Sequence, residues 1–150
     1  MAPQTDNEGI ARKLYDAWNR RDFDTIAGMV SADAETVIVG SGARFYGPEG
    51  LIESDLAWVE AFPDGRVTVD GVTAGADKVA IEYTGTGTHT GTLHTPGGDI
   101  PPTGRRVTLG LCDVLTIRDG KIREYRMYFD SVSLLTQLGL MPEASVAAET

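Results

Sequence analysis

The spacing of apolar residues changes once along this chain, near Gly65, and that change constrains the fold more than any other feature. Before it, apolar residues recur at helical intervals, as at Ile10, Leu14 and Trp18. After it, apolar and polar residues alternate, which is typical of half-buried strands. Helices and strands that segregate in this way predict an α+β fold, in which helices cover one face of a curved antiparallel sheet.

Cap, turn and proline signals divide the chain into predicted elements. Asp6 and Asp22 can cap the first two helices, and Pro48 is favoured in the first turn of the third. Asp119-Gly120 is a hairpin signal between the last two strands. Helices are predicted over residues 6–20, 23–30, 48–62 and 131–138, strands over 35–39, 66–74, 78–90, 105–117 and 121–130, and a Pro- and Gly-rich loop at 96–104.

Length and charge limit what the chain can form and bind. Its 150 residues predict one domain over 1–150, with an ordered core of about 6–140 and a disordered, Ala- and acid-rich tail at 143–150. The net charge of -9 argues against nucleic acid and anionic membranes as partners, because both require a basic surface. The single cysteine, Cys112, and an N-terminus without a signal-peptide pattern predict a cytoplasmic protein.

Signals for metal, nucleotide or covalent chemistry are weak. The two histidines, His89 and His94, have no third ligand at a suitable spacing, and no Gly-rich loop opens a helix. Cys112 lies in a predicted strand without a histidine nearby in sequence, and no serine sits in a Gly-x-Ser-x-Gly turn. General acid–base chemistry is the class that remains.

Asp130 is the first candidate for such chemistry. It ends the run Tyr128-Phe129-Asp130, where a carboxyl group is either partly desolvated or a helix cap. Desolvation would raise its pKa and make it a base or a proton shuttle near neutral pH. A cap would only accept backbone N–H bonds. The residues alone support both interpretations equally.

Asp113 and Arg126 are a second pair of candidate residues, and their relative position depends on the register of the last hairpin. A two-residue turn at Asp119-Gly120 places Asp113 opposite Arg126. A three-residue turn with a glycine bulge shifts every pair by one and moves Asp113 to the other face. A structural ion pair across the strands is the favoured interpretation of the two residues.

A third set of residues shares one face of the strand predicted at 78–90. That face carries Val79, Ile81, Tyr83, Gly85, Gly87 and His89. The glycines either leave room for a ligand or let the sheet curve. Aromatic residues on the predicted helices are interpreted either as core or as pocket walls; these are Tyr15, Trp18, Trp58 and Phe62.

Several segments resemble one known family. They are LYDAWNRRDF at 14–23, GTHTG at 87–91, IPPTGRRV at 100–107, and the ending from RDGKI to YFDSVSLLTQLGL at 118–140. Over about residues 8–140 the chain resembles the SnoaL-like polyketide cyclases, which belong to the superfamily with the fold of nuclear transport factor 2. The resemblance implies a conical α+β barrel open to an apolar ligand, and a homodimer formed through the sheets.

The resemblance also implies a role for Asp130. In SnoaL-like cyclases an aspartate on the last strand is the acid–base catalyst of an intramolecular aldol closure, without metal or cofactor, and Asp130 occupies the matching place. Their histidine partner matches Thr116 here, so His89 would have to substitute for it. The expected function is a cofactor-independent cyclase or isomerase that acts on a polyketide-like or other hydrophobic molecule.

Expected site residues follow from this function. Asp130 would move the proton, while His89 and Tyr83 would hydrogen-bond the oxygen that gains negative charge. The expected substrate-binding residues are Tyr15, Trp18, Trp58, Tyr83, Asp113, Arg126 and Tyr128. One alternative is a non-catalytic module for small-molecule binding or dimerisation, with Asp130 as a cap only. Another is an epoxide-opening hydrolase, disfavoured because Tyr83 and Gly85 stand where that chemistry needs Arg and Asp.

Overall fold

The structure is a computed structural model that describes residues 6–141, so the tail predicted to be disordered lies outside the described residues. Helices and strands appear in the predicted order, with three short strands added. The elements are α1 (Asn7–Asn19), α2 (Phe23–Gly28), β1 (Val30–Ile38), β2 (Ala43–Tyr46), α3 (Gly47–Ala61), β3 (Arg66–Ala74), β4 (Lys78–Thr88), β5 (Leu93–Thr95), β6 (Gly98–Ile100), β7 (Arg106–Arg118), β8 (Lys121–Phe129) and α4 (Ser131–Gln137).

The helix starts follow the predicted caps. The Asp6 carboxylate accepts a hydrogen bond from the Gly9 N–H at 2.8 Å, and the Asp22 carboxylate accepts one from the Thr25 N–H at 3.1 Å. Pro48 lies in the first turn of α3. These contacts involve only neighbours in sequence, which is why the pattern alone predicted them.

The six-stranded sheet has the order β2-β1-β8-β7-β4-β3, and β5 and β6 form a separate hairpin. The α+β class is therefore confirmed, but two details of the prediction are wrong. The strand β1 pairs with β8 in parallel, so the sheet is mixed rather than antiparallel. The sheet is also open rather than closed into a barrel, because β2 and β3 form its two edges.

The β3 edge is covered by a side chain of α1. The Asn19 amide donates to the Val67 carbonyl and accepts from the Val67 N–H, both at 2.8 Å. An amide side chain thus replaces a strand partner for the β3 backbone at this point. It also ties the end of α1 to the sheet face that carries most of the core.

The register of the last hairpin combines the two predicted alternatives. Asp119 and Gly120 have φ angles of 53° and 73°, as a two-residue turn requires, and Ile117 pairs with Ile122. A bulge at Arg123 then shifts the ladder by one residue, so that Asp113 lies opposite Met127. The shift places Tyr125 and Met127 on the same face as Asp113, which alternates with Leu115 and Ile117 along β7 and is fully buried.

Among residues 6–141, no helix is both long enough and apolar enough to cross a membrane.

Candidate active site

A cavity lies between the helices and the inner face of the sheet. It contains about 790 Å³ of empty space, part of which is open solvent at its mouth. Most of the wall is apolar or aromatic: Leu14, Trp18, Leu51, Trp58, Phe62, Val67, Val107, Leu109, Leu111, Met127 and Leu134. Polar side chains on the wall include Asp55, Tyr15, Tyr83 and Tyr125. Such a cavity suits an apolar molecule with a few polar groups.

The three tyrosines converge on Asp113. The Tyr15 hydroxyl donates to the Asp113 carboxylate at 2.6 Å and the Tyr83 hydroxyl at 3.0 Å. The Tyr125 hydroxyl donates to the same carboxylate oxygen as Tyr15. Because Asp113 is 0% exposed and the tyrosines line the cavity, a ligand would meet the phenols rather than the carboxylate behind them.

Burial and hydrogen bonding act on Asp113 in opposite directions. Burial favours the neutral form, whereas the bonds from Tyr125, Tyr15 and Tyr83 favour the carboxylate. The balance raises the pKa of Asp113 to about 7. Burial, followed by the charge of Asp113, raises the pKa of each phenol above its usual value.

Asp55 is the second buried carboxyl group. It lies on α3 between Leu51 and Trp58, is 5% exposed, and lines the cavity. None of residues 6–141 forms a hydrogen bond with its carboxyl group. Burial, and then repulsion by Asp113, raise the pKa of Asp55 well above its usual value, so its protonated form is favoured.

The structure therefore joins some of the expected site residues and adds two. Tyr15, Trp18, Trp58 and Tyr83 line the cavity, and Asp113 lies directly behind its wall. Asp55 and Tyr125 were missed. The signal for Asp55 is a charged residue four positions after Leu51 and three before Trp58, on the apolar stripe of a helix.

Asp130 lies elsewhere, at the start of α4. Its exposed carboxylate accepts hydrogen bonds from the N–H groups of Val132 at 2.9 Å and Ser133 at 3.2 Å. This is the geometry of a helix cap. Asp130 is not part of the cavity wall, so of the two interpretations of this residue the structure supports the cap.

Arg126 and Tyr128 lie on the outer face of the sheet, away from the cavity. The Arg126 guanidinium donates to the Tyr128 hydroxyl at 3.1 Å, and Tyr128 is 39% exposed. The expected ion pair between Arg126 and Asp113 is wrong. The bulge at Arg123 places Val114, not Asp113, opposite Arg126.

His89 is buried beside the cavity, behind Phe62. The Thr103 N–H donates to its Nδ1 at 3.1 Å, and its ring centre lies 5.4 Å from that of Phe62. Burial lowers the pKa of His89, so its ring is neutral at neutral pH. It lies outside the cavity wall, and no hydrogen bond joins it to Asp113 or Asp130 among the described residues.

The two glycines of β4, Gly85 and Gly87, differ in the space that surrounds them. A Cβ on Gly87 would lie 2.9 Å from the Cβ of Phe62, so that space is already filled. A Cβ on Gly85 would meet only Leu111, at 3.4 Å, and Gly85 lines the cavity. Room for a ligand therefore exists at Gly85, whereas Gly87 serves the packing of Phe62.

No group of three or more His, Cys, Asp or Glu side chains able to hold a metal ion occurs within residues 6–141.

The sequence profile of the SnoaL-like polyketide cyclases matches residues 8–138. This chain belongs to the SnoaL-like polyketide cyclase family. The match spans both the helices and the strands that build the cavity. A search of curated protein sequences finds no significant match.

Solved structures agree with membership of the SnoaL-like family. AclR from Streptomyces galilaeus, a proposed hydroxylase, is 28% identical with a TM-score of 0.80, over 98% of this chain and 94% of AclR. IdmH from Streptomyces antibioticus, a proposed polyketide cyclase, is 28% identical with a TM-score of 0.75, and the match covers 89% of this chain and 99% of IdmH. A proposed SnoaL-like cyclase from Jannaschia sp. CCS1 is 25% identical with a TM-score of 0.81, and the match covers 95% of this chain and 98% of the Jannaschia protein. The fold is therefore that of nuclear transport factor 2.

Proposed function

We propose that this SnoaL-like protein is a cyclase or isomerase that acts by acid–base catalysis on a polyketide-like or other hydrophobic molecule bound in the cavity. The observation that carries the proposal is Asp55, a carboxyl group on a largely apolar cavity wall that forms no hydrogen bond with any of residues 6–141. Its oxygens are not among the enclosed polar atoms without a partner, so the group is open to a ligand in the cavity.

The environments of the two carboxyl groups suggest an acid and a base. Asp113 accepts three phenolic hydrogen bonds, which stabilise its ionised form. Asp55 has no such bonds among residues 6–141, and burial and the charge of Asp113 favour its protonated form. Paired carboxyls whose pKa values are pushed apart are typical of acid–base sites. We assign the acid to Asp55 and the base to Asp113, acting through a tyrosine.

An aldol closure can be written with these groups. The proton on the carbon α to one carbonyl passes to a tyrosine oxygen, while the proton of that tyrosine passes to Asp113. The electron pair left on carbon attacks a second carbonyl carbon, and the oxygen of that carbonyl takes the proton of Asp55. The product is a β-hydroxy ketone. Asp113 is then protonated and Asp55 ionised, and one proton returned from Asp113 to Asp55 restores the starting state.

Proton exchange at carbon tests the assignment. The substrate is a synthetic aromatic ester with a β-diketone side chain, incubated in deuterated water and followed by NMR and mass spectrometry. We expect the wild type to accelerate deuterium uptake and ring closure, and Asp55→Asn to slow both by about a hundredfold or more. Asp130→Asn is the matched control and should keep both rates. Full activity of Asp55→Asn would contradict the proposal.

This experiment and a second one, with an epoxide substrate in oxygen-labelled water, separate the alternative functions. Tight binding of the substrate with neither deuterium uptake nor closure would indicate a non-catalytic binding module. Incorporation of labelled oxygen from water into an epoxide substrate would indicate an epoxide-opening hydrolase. A homodimer in the cytoplasm is also part of our proposal, and light scattering of the purified protein tests the dimer.

A further inference from the structure

Each tyrosine around Asp113 has a single hydroxyl proton, which it can direct either at Asp113 or at a ligand. A phenol carries one proton and donates one hydrogen bond. Tyr15, Tyr83 and Tyr125 each direct that proton at Asp113. None is left for a ligand, so the hydroxyl oxygens can offer only their lone pairs to the cavity. With Asp113 ionised, this part of the wall accepts hydrogen bonds.

Protonation of Asp113 reverses this polarity. A buried carboxyl O–H needs an acceptor, and the nearest oxygens are those of the tyrosines that contact Asp113. A tyrosine that accepts this bond can no longer direct its own proton at the same carboxyl oxygen. That proton becomes available to a ligand, and the wall then donates.

We propose that Asp113 is a positioning residue that sets the hydrogen-bonding polarity of the cavity wall, so that the ionised form selects ligands with a hydroxyl group over ligands with an ether oxygen. The inference deepens the proposed function, since it concerns the same cavity. It assigns the ligand class that the resting state prefers: an apolar skeleton that carries a phenolic or enolic hydroxyl group.

Among the described residues, none of the groups that face Asp113 is positively charged. The groups that face Asp113 are Tyr15 on α1, Asp55 on α3, Tyr83 on β4 and Tyr125 on β8. Burial and the charge of Asp113 raise the pKa of Asp55, which favours its protonated form. The pKa of Asp113, about 7, places the change of polarity in the neutral range.

Binding of two matched probes tests the proposal without any turnover. The probes are a naphthol and the corresponding naphthyl methyl ether, titrated into the full-length protein by calorimetry from about pH 5.5 to about pH 8, where the naphthol stays neutral. At the upper limit we expect the naphthol to bind about tenfold more tightly than the ether, as one net hydrogen bond predicts. At the lower limit the difference should shrink to about twofold or less.

Two variants identify the residue responsible. Asp113→Asn places an amide donor behind the tyrosines, so at least one phenolic proton is free at every pH, and the preference for naphthol should disappear. Asp55→Asn removes the other titrating carboxyl group and should leave the pH-dependent preference intact. A preference that does not change with pH in the wild type, or that Asp55→Asn abolishes, would overturn the proposal, even if Asp113→Asn fails to fold. A protein that shows the preference but no deuterium uptake would contradict only the proposed function.

Discussion

Asp55 of α3 lines the cavity, whereas Asp113 of β7 lies behind the tyrosines of the cavity wall. Both are buried, and the charge of Asp113 raises the pKa of Asp55. Three phenols surround Asp113, whereas the cavity faces Asp55. Burial therefore favours the protonated forms of both groups, and the folded protein binds excess proton compared with two exposed aspartates.

This excess proton predicts a stability that falls as pH rises. The pKa of Asp113 rises from 3.8 to about 7 on folding, so the folded state binds the proton more tightly than the unfolded chain. The contribution of Asp113 to the free energy of unfolding is complete below about pH 4 and is lost as pH rises to about 7. The loss amounts to about 4 kcal/mol. Urea denaturation across this range measures the loss. Asp113→Asn should lack it, and equal pH slopes in variant and wild type would contradict the prediction.

Filling the space at Gly85 should block ligand binding without harming the fold. A valine there extends into the cavity past Leu111, and β-branched residues are favoured in strands. We expect Gly85→Val to weaken binding of a polyketide-sized ligand by about tenfold or more, measured by calorimetry. Gly110→Val is the matched control, because Gly110 lies on the outer face of the adjacent strand with nothing within 4 Å. Equal binding by both variants would show that the ligand does not occupy this space.

Gly87→Val should act differently, through stability. The added side chain would overlap Phe62, whose Cβ lies 2.9 Å from the position of the new Cβ. Overpacking of this kind costs about 1–3 kcal/mol. Thermal denaturation of Gly87→Val beside Gly85→Val measures the difference, and equal melting temperatures would contradict the packing role assigned to Gly87.

Asp130 should behave as a cap in every measurement. Asp130→Ala removes the acceptor for the Val132 and Ser133 N–H groups and should cost about 1 kcal/mol of stability. Asp130→Asn retains a good capping residue and should cost less. Neither should change the rate per folded molecule. A loss of turnover in Asp130→Asn with full stability would restore the catalytic role expected from the family resemblance.

The β5–β6 hairpin should detach more readily at high pH. His94 contacts Asp99 through Nδ1 at 2.8 Å and Glu60 of α3 through Nε2 at 2.5 Å, and both contacts raise the pKa of His94. The imidazolium favours the folded contact, so this stabilisation is complete below about pH 6.5 and is lost as pH rises through the folded pKa. Amide hydrogen exchange of Leu93 and Ile100, corrected for intrinsic rates, measures it. His94→Gln should remove the pH dependence, and its persistence would contradict the assignment.

Local signals predicted most of the elements and most of their bounds to within two residues, but β1 begins at Val30 rather than at residue 35. The bounds of β3 match the prediction, because Gly65 and Gly75 interrupt the alternating pattern on both sides. The short edge strand β2 was missed, since four residues are too few to show a period. The predicted loop at 96–104 contains β6, whose pairing with β5 is not visible in a glycine-rich sequence.

The sequence by itself determined the helices, the strands, the caps and the apolar faces, because each depends on residues a few positions apart. It also contained both possible roles of Asp130. Only the tertiary structure decided between them, and only it revealed the acid–base candidates. One bulged residue, Arg123, moves Tyr125 to the face of the sheet that carries Asp113, and the packing of α1 and β4 brings Tyr15 and Tyr83 to the same carboxylate. Convergence of residues so far apart depends on register and strand order, which local periodicity does not encode.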